Sequence, residues 1–499
     1  MKFERILNHR VSLRQGIWRG AVFVLVGAGV RIKFLRRTSV KDHMMPDDRV
    51  QENHLAEEPD LPKRTGGTRR RFLRNSTAAA VVAVAAPRLL LGKPGLPLGR
   101  AIKIGFVGPR TGALARFGEC QDFILSGIRK LVSAGLAING KNHPVQIIEN
   151  DSESKRDRAA ELATSLIKTE RVDLILASST GETVNPVSDV CERNSVPCIT
   201  TDAPWQSYFF GRGGTAEKGF EWTYHFFWGL EDLIAVFMNM WTALPTNKVV
   251  GALWPNDAEG SAYSDAKFGF PNALQAKGYK LIDPGRFESS ATDYSAQISK
   301  FKSAQVEILT GVLPPPAFAT FWKQAGEQGF KPKIATIAKA ILFPAAVEAL
   351  GDRGADLTTE IWWSPSFPFK SGLSGQNTAE LCAAYEDQTK KQWTQPLGFL
   401  HALFEVGLDA LKRTKDVDSP GAIRDAIRAT DYDSIVGHIA WDGKPVKNVA
   451  KTSLVGGQWV PGYKFTHWIA GQKFKNDLVI VNNATNTSIE TQWKLEPLP

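Results

Sequence analysis

The sequence predicts an α/β protein in which two doubly wound lobes are joined by a hinge of several strands. From Ala101 onward, short apolar runs alternate with amphipathic stretches of helical period, which is typical of βαβ units and a parallel sheet. This alternation stops near residues 222–228 and then begins again, and later segments return to both units. We therefore expect a cleft between the carboxyl ends of two sheets, where open α/β folds bind ligands.

The first unit begins with an apolar strand at 102–108, followed by a helix with Phe123, Ile128 and Leu131 on one face. Further strands are predicted at 145–149, 172–177 and 197–200. The strand at 172–177 is almost entirely apolar, which indicates a strand covered on both faces.

The second unit begins with a helix at 232–244. Its predicted strands are 248–254, 279–283, 306–312, 333–338 and 359–363. Residues 376–430 are mainly helical, and short β-like runs follow residue 435. The expected division is 1–67 as an extension, 68–100 as a leader and linker, 101–222 plus 364–452 as lobe 1, and 223–363 plus 453–499 as lobe 2.

The positive charge of the chain is concentrated near its start. Residues 1–85 carry 17 Lys and Arg against 8 Asp and Glu, whereas the remainder carries 44 against 43. The basic clusters of the body lack interleaved aromatic residues, so nucleic-acid binding is not expected. No run of 18 apolar residues suitable for a membrane span occurs in the sequence.

Residues 68–74 (TRRRFLR) resemble the twin-arginine export signal, with Arg74 at its usual Lys position. An apolar stretch at 78–86 and a small-x-small pattern at 83–85 follow, as cleavage by signal peptidase requires. We expect export to the periplasm by the twin-arginine machinery; an exposed basic run before a surface helix is the alternative. Residues 1–67 are either a mis-assigned start, with Met44 or Met45 as initiator, or a genuine cytoplasmic extension.

An ordered series of segments resembles the branched-chain amino-acid-binding proteins of ABC transporters. It comprises IKIGFVGPRTGALARFGE, AINGKNHPVQIIENDSES, VDLILASSTGE and SVPCIT, and later ATDYSAQISKFKSAQVEILTG and QAGEQGFKP. The resemblance covers about residues 101–450 and implies the type I periplasmic-binding fold, with two Rossmann-like lobes.

In lobe 1, the resemblance implies that a ligand carboxylate binds at the loop after the third strand. Ser178, Ser179, Thr180 and Gly181 stand there, and small residues at a helix start let backbone N–H groups converge on an anion. Ordinary helix capping explains the same residues. The resemblance also places an aromatic residue after the first turn, and Phe117 matches it.

The loop after the fourth strand departs from the small residues of amino-acid binders. Asp202 is positioned to meet a cationic group, and Trp205 is positioned to stack on a flat or apolar ligand. Packing of Trp205 under Tyr208 and Phe209 is the alternative.

In lobe 2, Trp254 and Asn256 end a strand beside the expected cleft. Lys339 stands where amino-acid binders carry an acid for the ligand's ammonium, which favours an organic acid, an amide or a urea-like ligand; a solvated lysine is the alternative. Trp362 and Trp363 lie near a predicted crossover, and Trp363 is our candidate for the one facing the cleft.

We therefore predict a monomeric solute-binding protein that captures a small polar ligand (an amino acid, organic acid, amide or urea-like compound) and delivers it to an ABC transporter permease. No cofactor or metal is expected, and no HExxH, GxxxxGK[ST] or GxSxG motif indicates an enzyme. A periplasmic sensor on the same fold is the alternative. The four cysteines, Cys120, Cys191, Cys198 and Cys382, are compatible with one disulfide, whose pairing the spacing does not reveal.

Overall fold

The computed structural model describes residues 95–215, 217–288, 290–465 and 474–499. All of these residues belong to one compact unit of the chain, residues 81–499. The predicted extension, the twin-arginine motif and the cleavage site lie outside the described residues. None of the helices in the described ranges is long and apolar enough to cross a bilayer.

The first sheet has six parallel strands in the order β15-β7-β6-β5-β1-β4. Their bounds are β1 Ile102–Gly108, β4 Val145–Asp151, β5 Leu174–Ala177, β6 Cys198–Thr201, β7 Thr223–Phe226 and β15 Val449–Ala450. A short hairpin, β2 Leu136–Ile138 with β3 Lys141–His143, lies outside this sheet.

The second sheet has seven strands in the order β17-β16-β12-β11-β10-β8-β9. Their bounds are β8 Val249–Leu253, β9 Lys280–Ile282, β10 Ile308–Val312, β11 Ile334–Ala338, β12 Thr358–Ile361, β16 Val455–Pro461 and β17 Asn476–Asn482. Strands β8 to β12 are parallel, while β16 and β17 are antiparallel to their neighbours. A second hairpin pairs β13 Asp431–Ser434 with β14 Gly437–Ala440.

Thirteen α-helices occur in the described residues. They are α1 Gln121–Leu131, α2 Arg156–Ser165, α3 Gly181–Asn194, α4 Trp205–Phe209, α5 Leu230–Thr242, α6 Ala258–Tyr263, α7 Phe270–Ala276, α8 Ser295–Ser303, α9 Pro315–Glu327, α10 Pro344–Glu348, α11 Thr378–Thr389, α12 Pro396–Arg413 and α13 Pro420–Arg428. The α/β class and the two doubly wound units predicted from periodicity are confirmed.

The apolar strand β5 is covered on both faces. Leu174 and Leu176 belong to the core that includes α1 and α12, whereas Ile175 and Ala177 pack with α2 and α3. Because successive side chains of a strand point to opposite faces, a doubly covered strand needs apolar residues at every position. This requirement explains the continuous apolar run that predicted the strand.

The chain crosses between the two sheets three times. It leaves the first sheet after β7 and enters α5, which packs on β12, β16 and β17. It returns after β12 to α11 and α12, and it crosses again between β15 and β16. The three connections end in strands of both sheets, so the ends of β7, β12 and β15 form the multi-strand hinge expected from the sequence.

All four cysteines are buried free thiols. The described structure therefore contains no disulfide among Cys120, Cys191, Cys198 and Cys382.

Helix α12 is apolar on nearly all sides, which is typical of a helix enclosed by other elements. Trp363, just after β12, packs directly on its first turn, where the backbone of Gly398 touches the indole ring. The indole N–H of Trp363 donates to the carbonyl of Ile435 at 3.0 Å. A Cβ at position 398 would lie 2.3 Å from this ring, so the close approach depends on glycine.

We expect Gly398→Ala to destabilise the protein by about 1–3 kcal/mol, because the added methyl overpacks a fully buried contact. Gly127→Ala is the matched control: it also lies within a helix, α1, but its added Cβ would meet nothing within 4 Å. The control should raise the free energy of unfolding by about 0.5–1 kcal/mol through helix propensity. Guanidinium titrations measure both, and equal effects would contradict the packing account.

Candidate functional site

A small cavity lies where the carboxyl ends of the two sheets meet. Its lining residues come from both lobes: Phe117, Thr180, Asp202, Pro204, Phe227 and Trp228 from the first, and Glu259, Tyr263, Val312, Lys339, Leu342, Glu360 and Trp362 from the second. Thr180 follows β5, Asp202 follows β6 and Lys339 follows β11. The strand order thus brings together loops that are distant in sequence, as in other open α/β folds.

The backbone is left-handed at three non-glycine residues of this region. The φ angles are +85° at Ser179, +69° at Asp202 and +68° at Lys339. Such conformations cost of the order of 1–3 kcal/mol each and cluster at ligand sites, where the surrounding structure holds them. Each of the three follows a parallel strand, so each turn redirects a side chain at the sheet edge.

Asp202 belongs to the loop after β6, and its carboxylate lies at the start of helix α3. Its Oδ2 accepts a hydrogen bond from the backbone N–H of Ser179 at 3.4 Å. Its Oδ1 is buried and has no hydrogen-bond partner among the described residues; the nearby hydroxyl of Thr201 donates to the carbonyl of Phe226. Burial raises the pKa of the Asp202 carboxyl to about 7, although Ser179 and Thr201 lower it. One carboxylate oxygen of this cavity-lining residue therefore has no partner among the described residues.

Lys339 forms a buried ion cluster that joins the two lobes. Its Nζ lies 2.8 Å from Oε2 of Glu259, on α6 of the second lobe, and 3.5 Å from Oε2 of Glu182, on α3 of the first lobe. The hydroxyl of Thr180 donates to the same oxygen of Glu182. A buried ammonium with two carboxylate partners is the arrangement that makes burial of charge tolerable.

The pKa shifts of this cluster have clear causes. Burial lowers the pKa of Lys339, but the negative charges of Glu182 and Glu259 outweigh it, so the pKa is raised and the ammonium stays charged. Burial raises the pKa of Glu259 to about 7 against the opposing effect of Lys339. For Glu182, burial also raises the pKa, but Lys339 and Thr180 together lower it below its ordinary value.

Glu360 is a second buried acid at the cavity. Its Oε1 accepts from the backbone N–H of Lys339 at 3.2 Å, and its Oε2 accepts from the hydroxyl of Thr359 at 2.8 Å. Burial raises the pKa of Glu360 to about 7. These neutral donors leave its charge without a cationic side-chain partner in the described structure.

Aromatic rings form the remaining walls of the cavity. Phe227 packs on Trp228 and Trp362, with ring centroids 4.8 and 5.2 Å apart. Phe117 meets Phe343 of the second lobe edge-on at 4.9 Å. The indole N–H groups of Trp228 and Trp362 are buried and unpartnered within the described ranges. Two hydrogen-bond donors therefore lie in the hinge segments without acceptors.

Of the eleven residues selected from the sequence, Phe117, Thr180, Asp202 and Lys339 line the cavity. Ser179 does not line the cavity, but its backbone N–H donates to Asp202, which does. Ser178 is buried in the same loop. Gly181 begins α3, where an added Cβ would lie 3.8 Å from the Cβ of Ala258 in the second lobe. The lysine is paired rather than solvated.

The other four selected residues lie elsewhere. The indole of Trp205 donates to Glu231 at 3.2 Å and packs on Phe210, and that of Trp254 is buried against Tyr263 and Phe270. Two more lie outside the cavity lining: Asn256 is exposed and hydrogen-bonded to Glu288, and Trp363 is buried against α12.

Sequence reasoning missed Glu259 and Glu360, and it did not select Trp228 or Trp362. One signal was available: Glu360 interrupts a short, fully buried strand, TTEI, where an acid needs a reason. For Glu259 no comparable signal exists, because an acid in the first turn of a helix is ordinary.

Two other features were considered as sites. A larger groove lies beside α9, but its charged side chains, such as Lys323, Lys331 and Asp352, are exposed. No group of His, Cys, Asp and Glu suited to a metal ion occurs in the described part of the chain. The cavity between the lobes is therefore the candidate site.

Solved structures share this fold. A leucine-binding protein, LivK, from Thermotoga maritima has a TM-score of 0.61 and 19% identity, covering 76% of this chain and 98% of its own. A solute-binding protein of an ABC transporter from Rhodopseudomonas palustris, in complex with 3,4-dihydroxybenzoic acid, has a TM-score of 0.60 and 18% identity, covering 76% and 96%. Another from R. palustris, in complex with 4-hydroxybenzoate, has a TM-score of 0.60 and 15% identity, covering 80% and 98%.

The resemblance noted in the sequence is confirmed by these structures and by a family model. That model, described as periplasmic binding protein, matches residues 101–462, which is most of the chain and contains the first sheet, all strands of the second sheet except β17, and the cavity between them. The two lobes have the type I periplasmic-binding architecture of the solved structures. The chain belongs to the periplasmic binding protein family.

Proposed function

We propose that the chain is the solute-binding protein of an ABC transporter, which captures a small polar ligand by closure of its two lobes and delivers it to the permease. The observation that carries this proposal is the cavity itself. It is enclosed by both lobes, and it contains a carboxylate oxygen and two indole N–H groups without partners among the described residues. Buried polar groups without partners are costly, so a ligand that satisfies them favours closure.

The ion cluster supports closure as the mechanism. Glu182 belongs to the first lobe, and Lys339 and Glu259 belong to the second, so the 3.5 Å contact of Lys339 with Glu182 exists only when the lobes are together. Closing excludes water, and the lower local dielectric strengthens each polar contact with the ligand. The ligand need only bind the closed form better than the open form.

We infer a periplasmic location from the family, and the leader predicted from the sequence supports it. Periplasmic binding proteins act outside the inner membrane, and the motif at 68–74 is the signal that we expect to direct export through the twin-arginine machinery. Solved structures of this fold include a leucine-binding protein and complexes with 3,4-dihydroxybenzoic acid and 4-hydroxybenzoate. We expect the protein to act as a monomer.

A thermal-shift screen of amino acids, organic acids, amides and amines should identify ligands, because a compound that binds only the folded state raises its stability. For each hit, we expect Trp362→Phe to weaken binding roughly 5- to 30-fold, since about 1–2 kcal/mol is lost with the indole donor. Titration calorimetry measures the change.

Trp322→Phe is the matched control for this experiment. Its indole N–H donates to the carbonyl of Arg353 at 2.9 Å, on the far side of the second lobe, and its loss should leave affinity unchanged. If both substitutions change affinity equally, or if Trp362→Phe has no effect on any hit, the cavity is not the binding site.

Replacement of the bridging lysine tests closure. In Lys339→Met, Glu182 and Glu259 lose their common cation while they remain buried, at a cost of roughly 3–5 kcal/mol in the closed form. We therefore expect a lower unfolding midpoint and, in small-angle X-ray scattering, a larger radius of gyration than in the parent protein.

Lys323→Met provides the comparison. This lysine is exposed on α9 and lies 3.9 Å from Glu327, so its removal should cost about 0–1 kcal/mol and leave the scattering unchanged. A Lys339→Met variant that is as compact and as stable as the Lys323→Met variant would refute the role given to the ion cluster.

A further inference from the structure

The start of helix α3 already carries an anion that belongs to the protein. The N-terminal end of a helix stabilises negative charge, and the resemblance to amino-acid binders led us to expect a ligand carboxylate there. Instead, the carboxylate of Asp202 accepts the N–H of Ser179 at 3.4 Å. A second carboxylate at the same place, brought by a ligand, would meet this charge directly.

The cavity contains more acid than base. Asp202 is 4% exposed and Glu360 is 2% exposed, and both line the cavity. The lysine at the wall, Lys339, has its Nζ against Glu259 and Glu182, so it does not neutralise the other two acids. Two buried carboxyl groups thus lack a cation from the described protein, and such groups require either protonation or a positively charged guest.

The aromatic residues of the lining and their unpartnered polar atoms indicate further properties of the ligand. Phe117, Tyr263, Trp228 and Trp362 surround the space, and aromatic faces attract cations. The unpartnered indole N–H groups of Trp228 and Trp362 require an acceptor such as a hydroxyl or carbonyl oxygen. The unpartnered Oδ1 of Asp202 requires a donor.

We propose, on the basis of the proposed function, that the ligand is a small organic cation without a carboxylate, in which an ammonium or amidinium group binds Asp202 and Glu360. A neutral oxygen of the ligand accepts from the two indoles in the hinge. The site therefore selects against amino acids and also against the organic acids that Lys339 favoured from sequence, because that lysine is already engaged within the protein.

The pH dependence of binding supports a direct test, because a cation binds best when the carboxyl groups are ionised. Burial places the pKa values of Asp202 and Glu360 near 7 in the empty cavity, so binding of a cation should release protons and strengthen as the pH rises from 6 to 8. The other ionisable groups around this space are Glu182, Glu259, Lys339 and Tyr263, together with Asp257 beside the ion cluster and the Cys120 thiol near Asp202.

The experiment compares compounds that share one skeleton and differ in charge. Isopentylamine, leucine, isovalerate and isovaleramide form one set, and benzamidine, benzylamine, benzoate and benzamide form another. Titration calorimetry on the whole mature protein should give an affinity at least roughly tenfold higher for a cation than for the acid of the same skeleton.

Asp202→Asn should weaken binding of the cation roughly 10- to 100-fold, the range expected for a charged hydrogen bond, and should flatten its pH dependence. Glu360→Gln should also weaken binding of the cation. Asp157→Asn, on the exposed side of α2 in the same lobe, is the matched control and should change nothing.

Three results would overturn the inference. Tighter binding of the acids, or equal binding of amide and amine with no effect of Asp202→Asn, contradicts the cationic ligand and leaves the proposed function intact. Failure of every compound in both sets to bind contradicts the cationic ligand, and the proposed function fails with it only if the thermal-shift screen also finds no ligand.

Discussion

The structure depends on one buried ion cluster, in which the ammonium of Lys339 meets Glu259 of its own lobe and Glu182 of the other. A lone charge at this depth is not tolerable, so the lysine fixes the start of α3 and the start of α6 in one arrangement. The contact between Thr180 and Glu182 extends this arrangement to the loop after β5.

This cluster also determines which polar groups at the cavity remain for a ligand. Because Lys339 is satisfied internally, the polar groups left at the cavity are acceptors on Asp202 and Glu360 and donors on two indoles. From sequence alone, Lys339 favoured an organic acid among the possible ligands. Because its ammonium is paired within the protein, it no longer favours one. Solved structures of the same fold hold 3,4-dihydroxybenzoic acid and 4-hydroxybenzoate, and we propose that this chain differs from them in how its charges pair with one another.

Much of the fold was predictable, because the spacing of apolar residues along the chain reflects which side chains are buried. The strand predicted at 102–108 is β1 residue for residue, and the apolar run at 172–177 contains β5. The cavity was less predictable. Trp362 and Trp363 are adjacent, yet Trp362 lines the cavity and Trp363 packs on Gly398. Which of the two faces the cavity depends on where β12 ends, and residue composition does not reveal it. The partners of Lys339 are far away in sequence, and pairing across such distances leaves no pattern in a single chain.

The most direct test of this account is the coupling energy between Lys339 and Glu182, obtained from a double-mutant cycle of Lys339→Met, Glu182→Gln and the double variant. Unfolding free energies in the presence of saturating ligand give the four corners of the cycle. We predict a coupling of about 1–3 kcal/mol, because each group stabilises the other only across the closed cleft. A coupling near zero would show that the two lobes are not joined by this pair.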